Sequence, residues 1–236
     1  MAHEVQVHAA QTSILRELLF ADDLGFSVLQ KATGLSSDHF KFHLKRLLET
    51  GYVEKTMTGH YRLTAPGKEY ANKLDTATST IERQPKSAVI LVIEHQLDGQ
   101  AVLLLQQRQK HPYFGFWGFP GGKIRWGETI VQAAARELAE EASLQAQLTY
   151  RGVYHEHVSA AETGLMLEDK IFHVMYGTQV TGTLTPHFEG GHNAWLTLEQ
   201  ARAKDRHYAS LDIEAEIGLG RQTFAELTQV YRSDQF

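Results

Sequence analysis

The chain has 236 residues, 42% of them apolar and 22% charged, which suits two small globular domains better than one. Its formal charge of −5 argues against a general polyanion binder, and the deficit is local: residues 1–80 balance nine Lys/Arg with nine Asp/Glu, whereas residues 81–236 set 14 against 19. The absence of cysteine excludes disulfides, zinc–thiolate clusters and cysteine nucleophiles.

The opening Met1-Ala2-His3-Glu4-Val5-Gln6 lacks the basic end and apolar stretch of a secretory leader. The longest apolar run, Ala88 to Ile93, falls far short of the ~20 residues that span a bilayer. A cytoplasmic chain with no membrane partner is expected.

Three helices are predicted first. One carries Ile14, Leu15, Leu18 and Leu19. A second runs from Phe26 to Thr33, with Phe26, Val28 and Leu29 apolar, and stops at Gly34. The third is capped by Ser36 or Ser37, buries Phe40, Leu44, Leu47 and Leu48, and ends at Gly51. Two short alternating runs, Tyr52 to Met57 and His60 to Thr64, form a hairpin through Thr58-Gly59, and Pro66 opens a last helix through Tyr70 and Leu74. The small, polar stretch Asp75 to Ser87, with Pro85 near its end, reads as a joint. The expected division is therefore residues 1–78, a linker at 79–87, and a second domain at 88–236.

This order of elements resembles the winged helix-turn-helix module. The resemblance implies that the third helix enters the major groove of double-stranded DNA while the hairpin follows the backbone. On that expectation His39, Phe42, His43, Lys45 and Arg46 face DNA, with Lys41 beside them, and Lys55, His60 and Arg62 decorate the wing. Dimerisation or protein docking is the other use of such a module, and a homodimer is one expected partner state.

Behind the joint, Ser87 to His95 and Ala101 to Gln107 read as strands around an Asp98-Gly99 turn. A glycine-rich loop, Trp117-Gly118-Phe119-Pro120-Gly121-Gly122-Lys123-Ile124-Arg125-Trp126-Gly127-Glu128, then runs into an alanine-rich helix from Thr129 to Ala142. On that helix Glu137, Glu140 and Glu141 crowd one side, opposite Ile130, Ala134 and Leu138, while Arg136 is within reach of Glu140 or Glu128. A glutamate trio alone reads as a solvated acidic face. Hard cations want oxygen ligands of this kind, however, and the glycine loop at fixed distance favours them.

From Gly122, five residues lead to Glu128, and seven more to Arg136-Glu137-Leu138, then Glu140-Glu141 and Leu144. This resembles the Nudix box, G-x5-E-x7-R-E-U-x-E-E-x-G-U, at every specified position except Ser143, where the family has glycine. The resemblance implies an α/β/α sandwich on a mixed sheet, and so an α+β two-domain chain overall. It implies a magnesium-dependent hydrolase of a nucleotide diphosphate bond, with manganese as the alternative ion. Glu140 and Glu141 are then metal ligands, with Glu137 a third ligand or base. Gly121 offers its carbonyl, while Arg136 and Glu128 hold loop and helix in register. Glu189 resembles a further ligand, and Arg108 and Lys123 are expected at phosphate. A nucleoside triphosphate of the MutT type and an ADP-ribose-like dinucleotide are both open as substrate. Ser143 is expected to bear a left-handed backbone or to lengthen the helix.

Later elements are predicted as strands at Gln147 to His157 and Lys170 to Val180, and helices at Glu199 to Lys204 and Ile213 to Tyr231. Of the aromatic run Tyr113, Phe114, Phe116, Trp117 and Phe119, most members are expected in the core. His155 and His157 share one strand face, and hydrogen-bonded or solvated histidines are expected there, because too few partners for a transition metal can be placed. The alternative for the whole chain is a transcription regulator that senses a nucleotide, as in regulators of the NrtR type, although those carry the winged helix after the Nudix domain.

Overall fold

The computed structural model describes residues 8–75, 77–78 and 80–236. Residues 1–7, read above for a leader, and Thr76 and Ser79 of the joint lie outside the described residues. Among the described residues, no helix is long and apolar enough to cross a membrane. The chain divides into two compact units, Met1–Arg83 and Gln84–Phe236.

The first unit runs α1 (Ala9–Leu19), α2 (Phe26–Thr33), α3 (Ser37–Glu49), β1 (Val53–Lys55), β2 (Tyr61–Leu63) and α4 (Ala65–Ala71). Ile14, Leu15, Leu18, Leu29, Phe40, Leu44 and Leu47 meet in one core because helical spacing puts them on facing stripes. The hairpin is shorter than its alternating sequence suggests, and Leu24 bridges Tyr61 across its edge. Three side chains depart from expectation. Leu48 and Val28 are exposed rather than core, each lying just beyond its helix's buried stripe. His43 turns inward and stacks on His8, ring centroids 4.5 Å apart. The last helix stops at Ala71, and Leu74 instead bridges Ile81, folding part of the joint back on itself.

The second unit begins with β3 (Lys86–Leu97) and β4 (Gln100–Arg108), followed by short β5 (Trp117–Gly118) and β6 (Gly121–Lys123), and then α5 (Ile130–Ala142). Next come two long strands, β7 (Leu144–Ala160) and β8 (Met166–Gly182), then β9 (His187–Phe188), β10 (Gly191–Leu196), α6 (Leu198–Arg202), α7 (Leu211–Gly218) and β11 (Phe224–Tyr231). The mixed sheet has the order β11-β7-β8-β3-β4-β10-β9, with β3–β8 and β11–β7 parallel. Strand alternation divides its two faces. Val89, Leu91 and Ile93 pack with Ala134 and Leu138 of α5, while Ile90 and Val92 pack with Leu211, Ala215 and Ile217 of α7. Helices therefore cover both faces of a mixed α/β sheet.

The expected helix from Ile213 to Tyr231 is corrected: α7 ends at Gly218, and residues 224–231 form a strand parallel to β7. Gly220 takes a left-handed φ of 77°, which breaks the helix. The β-type residues Thr228, Val230 and Tyr231 then supply an edge strand. Ser143 adopts the left-handed conformation, φ 58°, and its hydroxyl accepts from Thr185 at 2.7 Å, so the helix ends where a glycine would end it. β3 begins at Lys86, inside the expected linker, because Lys86 and Ser87 pair with Lys170 and Ile171.

Candidate active site

The glycine loop brings main chain against a carboxylate. β6 pairs with β3 so tightly that a Cβ on Gly121 would sit 2.3 Å from the Val89 carbonyl. One on Gly122 would sit 2.1 Å from the Glu137 carboxylate. Only glycine permits both approaches. The helix that follows is started by a reciprocal cap. The Thr129 hydroxyl accepts from the Gln132 amide at 3.2 Å, and the Gln132 side chain accepts from the Thr129 N–H at 2.9 Å. That fixed start sets the rotation of α5, and with it the side on which Glu137, Glu140 and Glu141 emerge.

Arg136 organises this side. Its guanidinium donates to both Glu128 oxygens, at 2.6 and 2.9 Å, to Glu137 at 2.7 Å, to Glu140 at 3.1 Å and to the Lys123 carbonyl at 3.0 Å. A planar five-donor fork suits this, and lysine could not replace it. Hydrogen bonding from Arg136, then from the Arg125 N–H, lowers the Glu128 carboxyl to about 2, and Glu128 in turn raises the guanidinium. Arg125 adds a second cation on Glu140 at 3.0 Å. Glu141 differs: burial pushes its carboxyl up, opposed by the Gln106 amide that donates at 2.9 Å, and the charge of Glu137 adds to the rise. Buried Asn193 anchors the same end of α5, donating to the Glu141 carbonyl at 2.7 Å and the Thr185 carbonyl at 2.9 Å.

A cavity of ≈ 710 Å³ collects Glu137 and Glu141 with Gly121, Gly122, Lys123, Arg125, Gln106, Arg108 and Lys110. Its buried lining side chains include three further carboxylates, Glu156, Glu168 and Glu214. Glu168 accepts from the Tyr113 hydroxyl at 2.9 Å and is held by Lys170. Glu156 accepts from Tyr154 at 3.0 Å, and burial raises its carboxyl. Burial raises Glu214 to about 8, although the Ser210 hydroxyl donates to it at 2.6 Å. Sequence reasoning missed these three. For the two on strands the signal was period-two alternation: Glu156 shares its strand face with buried Tyr154 and Val158, and Glu168 and Lys170 share theirs with Phe172 and Val174.

Of the expected site residues, Glu137, Glu141, Gly121, Arg108 and Lys123 line this cavity, and Glu128, Arg136 and Glu140 join them through the guanidinium network. The Nε of Arg108 donates to the carbonyls of Lys110 and Pro112, at 3.0 and 2.6 Å, pinning the loop after β4. Glu189 is exposed in the turn between β9 and β10, outside the cavity lining. In the aromatic run Tyr113, Phe116, Trp117 and Phe119 are buried, and exposed Phe114 stacks on His111. In the first unit, His39, Lys41, Phe42, Lys45 and Arg46 are exposed along α3, and Arg62 is exposed on β2. Lys41, Lys45, Arg46 and Arg62 each lie beside a carboxylate, of Asp38, Glu49, Glu49 and Glu54 respectively.

Residues 83–213 match the NUDIX domain family. The ADP-ribose pyrophosphatase of Methanocaldococcus jannaschii is 33% identical over 88 residues, covering 36% of this chain and 50% of that protein, so the match spans only half of the relative's length. Among solved structures, the MutT protein of Bacillus halodurans aligns with TM-score 0.51 and 19% identity over 64% of this chain and 93% of that one. The NUDIX domain of Shewanella oneidensis NrtR, solved with ADP ribose, aligns with TM-score 0.50 and 20% identity over 65% and 96%. These two show the same fold. With the glycine loop, the glutamate helix and its arginine clamp in the matched region, the chain belongs to the NUDIX domain family.

Proposed function

We propose that the second unit is a magnesium-dependent pyrophosphohydrolase that cleaves the diphosphate linkage of a nucleotide, either a nucleoside triphosphate or an ADP-ribose-like compound. The observation that carries this reading is the pairing of opposite chemistries in one cavity. Glu137 and Glu141 stand with the bare backbone of Gly121 and Gly122, beside Arg108, Lys110 and Lys123. The first group suits a divalent cation, and the second suits phosphate oxygens.

The donor set fits magnesium. Three carboxylates, Glu137, Glu140 and Glu141, with the Gly121 carbonyl, are all hard oxygens, which manganese also accepts. When bound, the ion neutralises phosphate charge and lowers the pKa of the attacking water. The chain supplies the rest. Arg136 and Gln106 hold the carboxylates in place. Glu137, wedged against Gly122, serves as the third ligand or takes the water's proton. Arg108 and Lys123 balance the phosphates. The products are a nucleoside monophosphate and pyrophosphate or a phosphorylated remainder. The name of the M. jannaschii relative makes ADP-ribose a leading substrate to test.

The test is formation of a nucleoside monophosphate, with pyrophosphate or a phosphorylated remainder, from a panel of nucleoside triphosphates, ADP-ribose and dinucleoside polyphosphates, separated by ion-exchange chromatography, with and without magnesium. Magnesium-dependent turnover of one class, abolished by Glu140→Gln and by Glu141→Gln, is expected. Unchanged turnover in both variants would refute the assignment. Tight binding of one compound without turnover would favour a nucleotide sensor instead.

For the first unit we propose a winged helix-turn-helix that contacts double-stranded DNA through α3. What supports it is the run of exposed His39, Lys41, Phe42, Lys45 and Arg46 opposite the buried Phe40, Leu44 and Leu47. Their pairing with Asp38 and Glu49 costs little to break, since exposed ion pairs contribute about 0–1 kcal/mol. Lys45→Ala with Arg46→Ala should weaken retention of DNA in a gel shift and flatten its salt dependence. Equal retention would refute the geometry.

A further inference from the structure

β7 and β8 carry chemistry on both faces. Glu156, Glu168 and Lys170 line the cavity described above, so His155, His157 and Asp169, which alternate with them, point from the opposite face. There the antiparallel register sets His157 across from Asp169, and the parallel edge strand β11 sets Glu226 beside His155. The three strands thus bring four potential ligating or orienting groups to one patch.

The distances are those of a nearly assembled metal site. His155 Nε2 lies 2.9 Å and His157 Nε2 3.7 Å from Asp169 Oδ1. A ligand atom from each of the three lies within 4.8 Å of the others. Bonds of about 2.0–2.1 Å in tetrahedral array separate ligand atoms by roughly 3.4 Å, so an ion fits after shifts below about 1 Å. The second feature comes from a third strand, β11. Glu226 holds the other ring nitrogen of His155 at 2.8 Å, the carboxylate–imidazole pairing that fixes the tautomer of a metal-binding histidine. The side chains are 21% to 32% exposed, enough to leave a further position open to water.

We propose that His155, His157 and Asp169 bind one first-row transition cation of the Zn2+ class, oriented by Glu226, at a site separate from the magnesium-type carboxylates. Two imidazoles with one carboxylate favour zinc over magnesium, which demands six oxygens. The ion ties β7 to β8 through its ligands and, through Glu226, ties both to β11. Nothing in this depends on the hydrolase reading.

The experiment titrates chelator-stripped full-length chain with ZnCl2 in excess magnesium by calorimetry. CoCl2 serves as a visible-absorption probe of nitrogen ligation. A single saturable equivalent is expected, retained in Glu141→Gln, weakened about 100-fold or more in His157→Ala and Asp169→Asn, and by roughly 10-fold in Glu226→Gln. Thermal melts establish that each variant is folded. In the unmutated chain, zinc should also protect His155 and His157 from diethyl pyrocarbonate, read by peptide mass mapping. Absent saturable binding, wild-type affinity in the folded ligand variants, or modification of both histidines undiminished by zinc would each overturn the proposal.

Discussion

Gly122→Ala places a single methyl group in the candidate active site. Gly122 faces the Glu137 carboxylate so closely that the added Cβ would lie 2.1 Å from it, whereas real contacts stay beyond 3.0 Å. The carboxylate must therefore retreat by about 0.9 Å at least, and it cannot do so freely while Arg136 grips it at 2.7 Å. A misplacement of about 1 Å at a reacting group costs on the order of 100-fold in rate, or ~2.7 kcal/mol in the barrier. The obstacle is the far end of a side chain rather than main chain, so the fold should survive. Gly121→Ala is the contrast: its Cβ meets the Val89 carbonyl at 2.3 Å, main chain inside the sheet, and overpacking of that kind costs about 1–3 kcal/mol of stability. Initial rates at saturating magnesium, with thermal melts of both variants, separate the two effects. If Gly122→Ala keeps its kcat within about twofold while folded, the placement of Glu137 as a group in the chemistry is wrong.

Arg136→Met leaves Glu128, Glu137 and Glu140 facing one another around a vacated guanidinium, and loses several charge-assisted bonds from a side chain only 14% exposed. A loss of about 2–3 kcal/mol is expected by urea denaturation, with activity abolished, and magnesium should raise the melting temperature more than in the parent chain. A parent-like melting curve would discount the clamp. Glu214, raised from 4.5 to about 8 by burial, keeps its proton in the folded state at pH values where the unfolded chain has lost it. Its stabilising contribution is therefore full below about pH 4.5 and is lost as pH rises towards 8, with a slope of at most ~1.4 kcal/mol per unit. Glu214→Gln should flatten the parent's urea stability between those limits, and an identical pH slope in both proteins would contradict the buried neutral acid.

What the sequence made legible was whatever rests on local periodicity. The helical stripes of Ile14–Leu18 and Phe40–Leu47, the Asp98-Gly99 turn between β3 and β4, and the glutamate helix all follow from local residue type and spacing. The box residues were legible because a loop and a helix adjacent in sequence supply them. Residues that reach the site from distant strands carry no such signal. Gln106 and Asn193 meet Glu141 across 35 and 52 positions, and Glu168 meets Tyr113 across 55. The stretch Phe224 to Tyr231 misled for a related reason. Its strand character comes from pairing with β7, about seventy positions earlier, and an edge strand shows only a weak alternation of its own.

The two-faced character of β7 and β8 also sets which genetic changes the domain can absorb. Slipping either strand by one residue would exchange every inward side chain for its outward neighbour, turning histidines into the cavity and carboxylates out of it. The register irregularities at Tyr150/Gly152 and Val158/Ser159 bracket the stretch whose alternation must hold. A single-residue deletion among 152–158 should therefore disable the domain more completely than any substitution there. The exposed tip at 161–165, which joins the two strands, is where extra residues can be inserted without cost to either face.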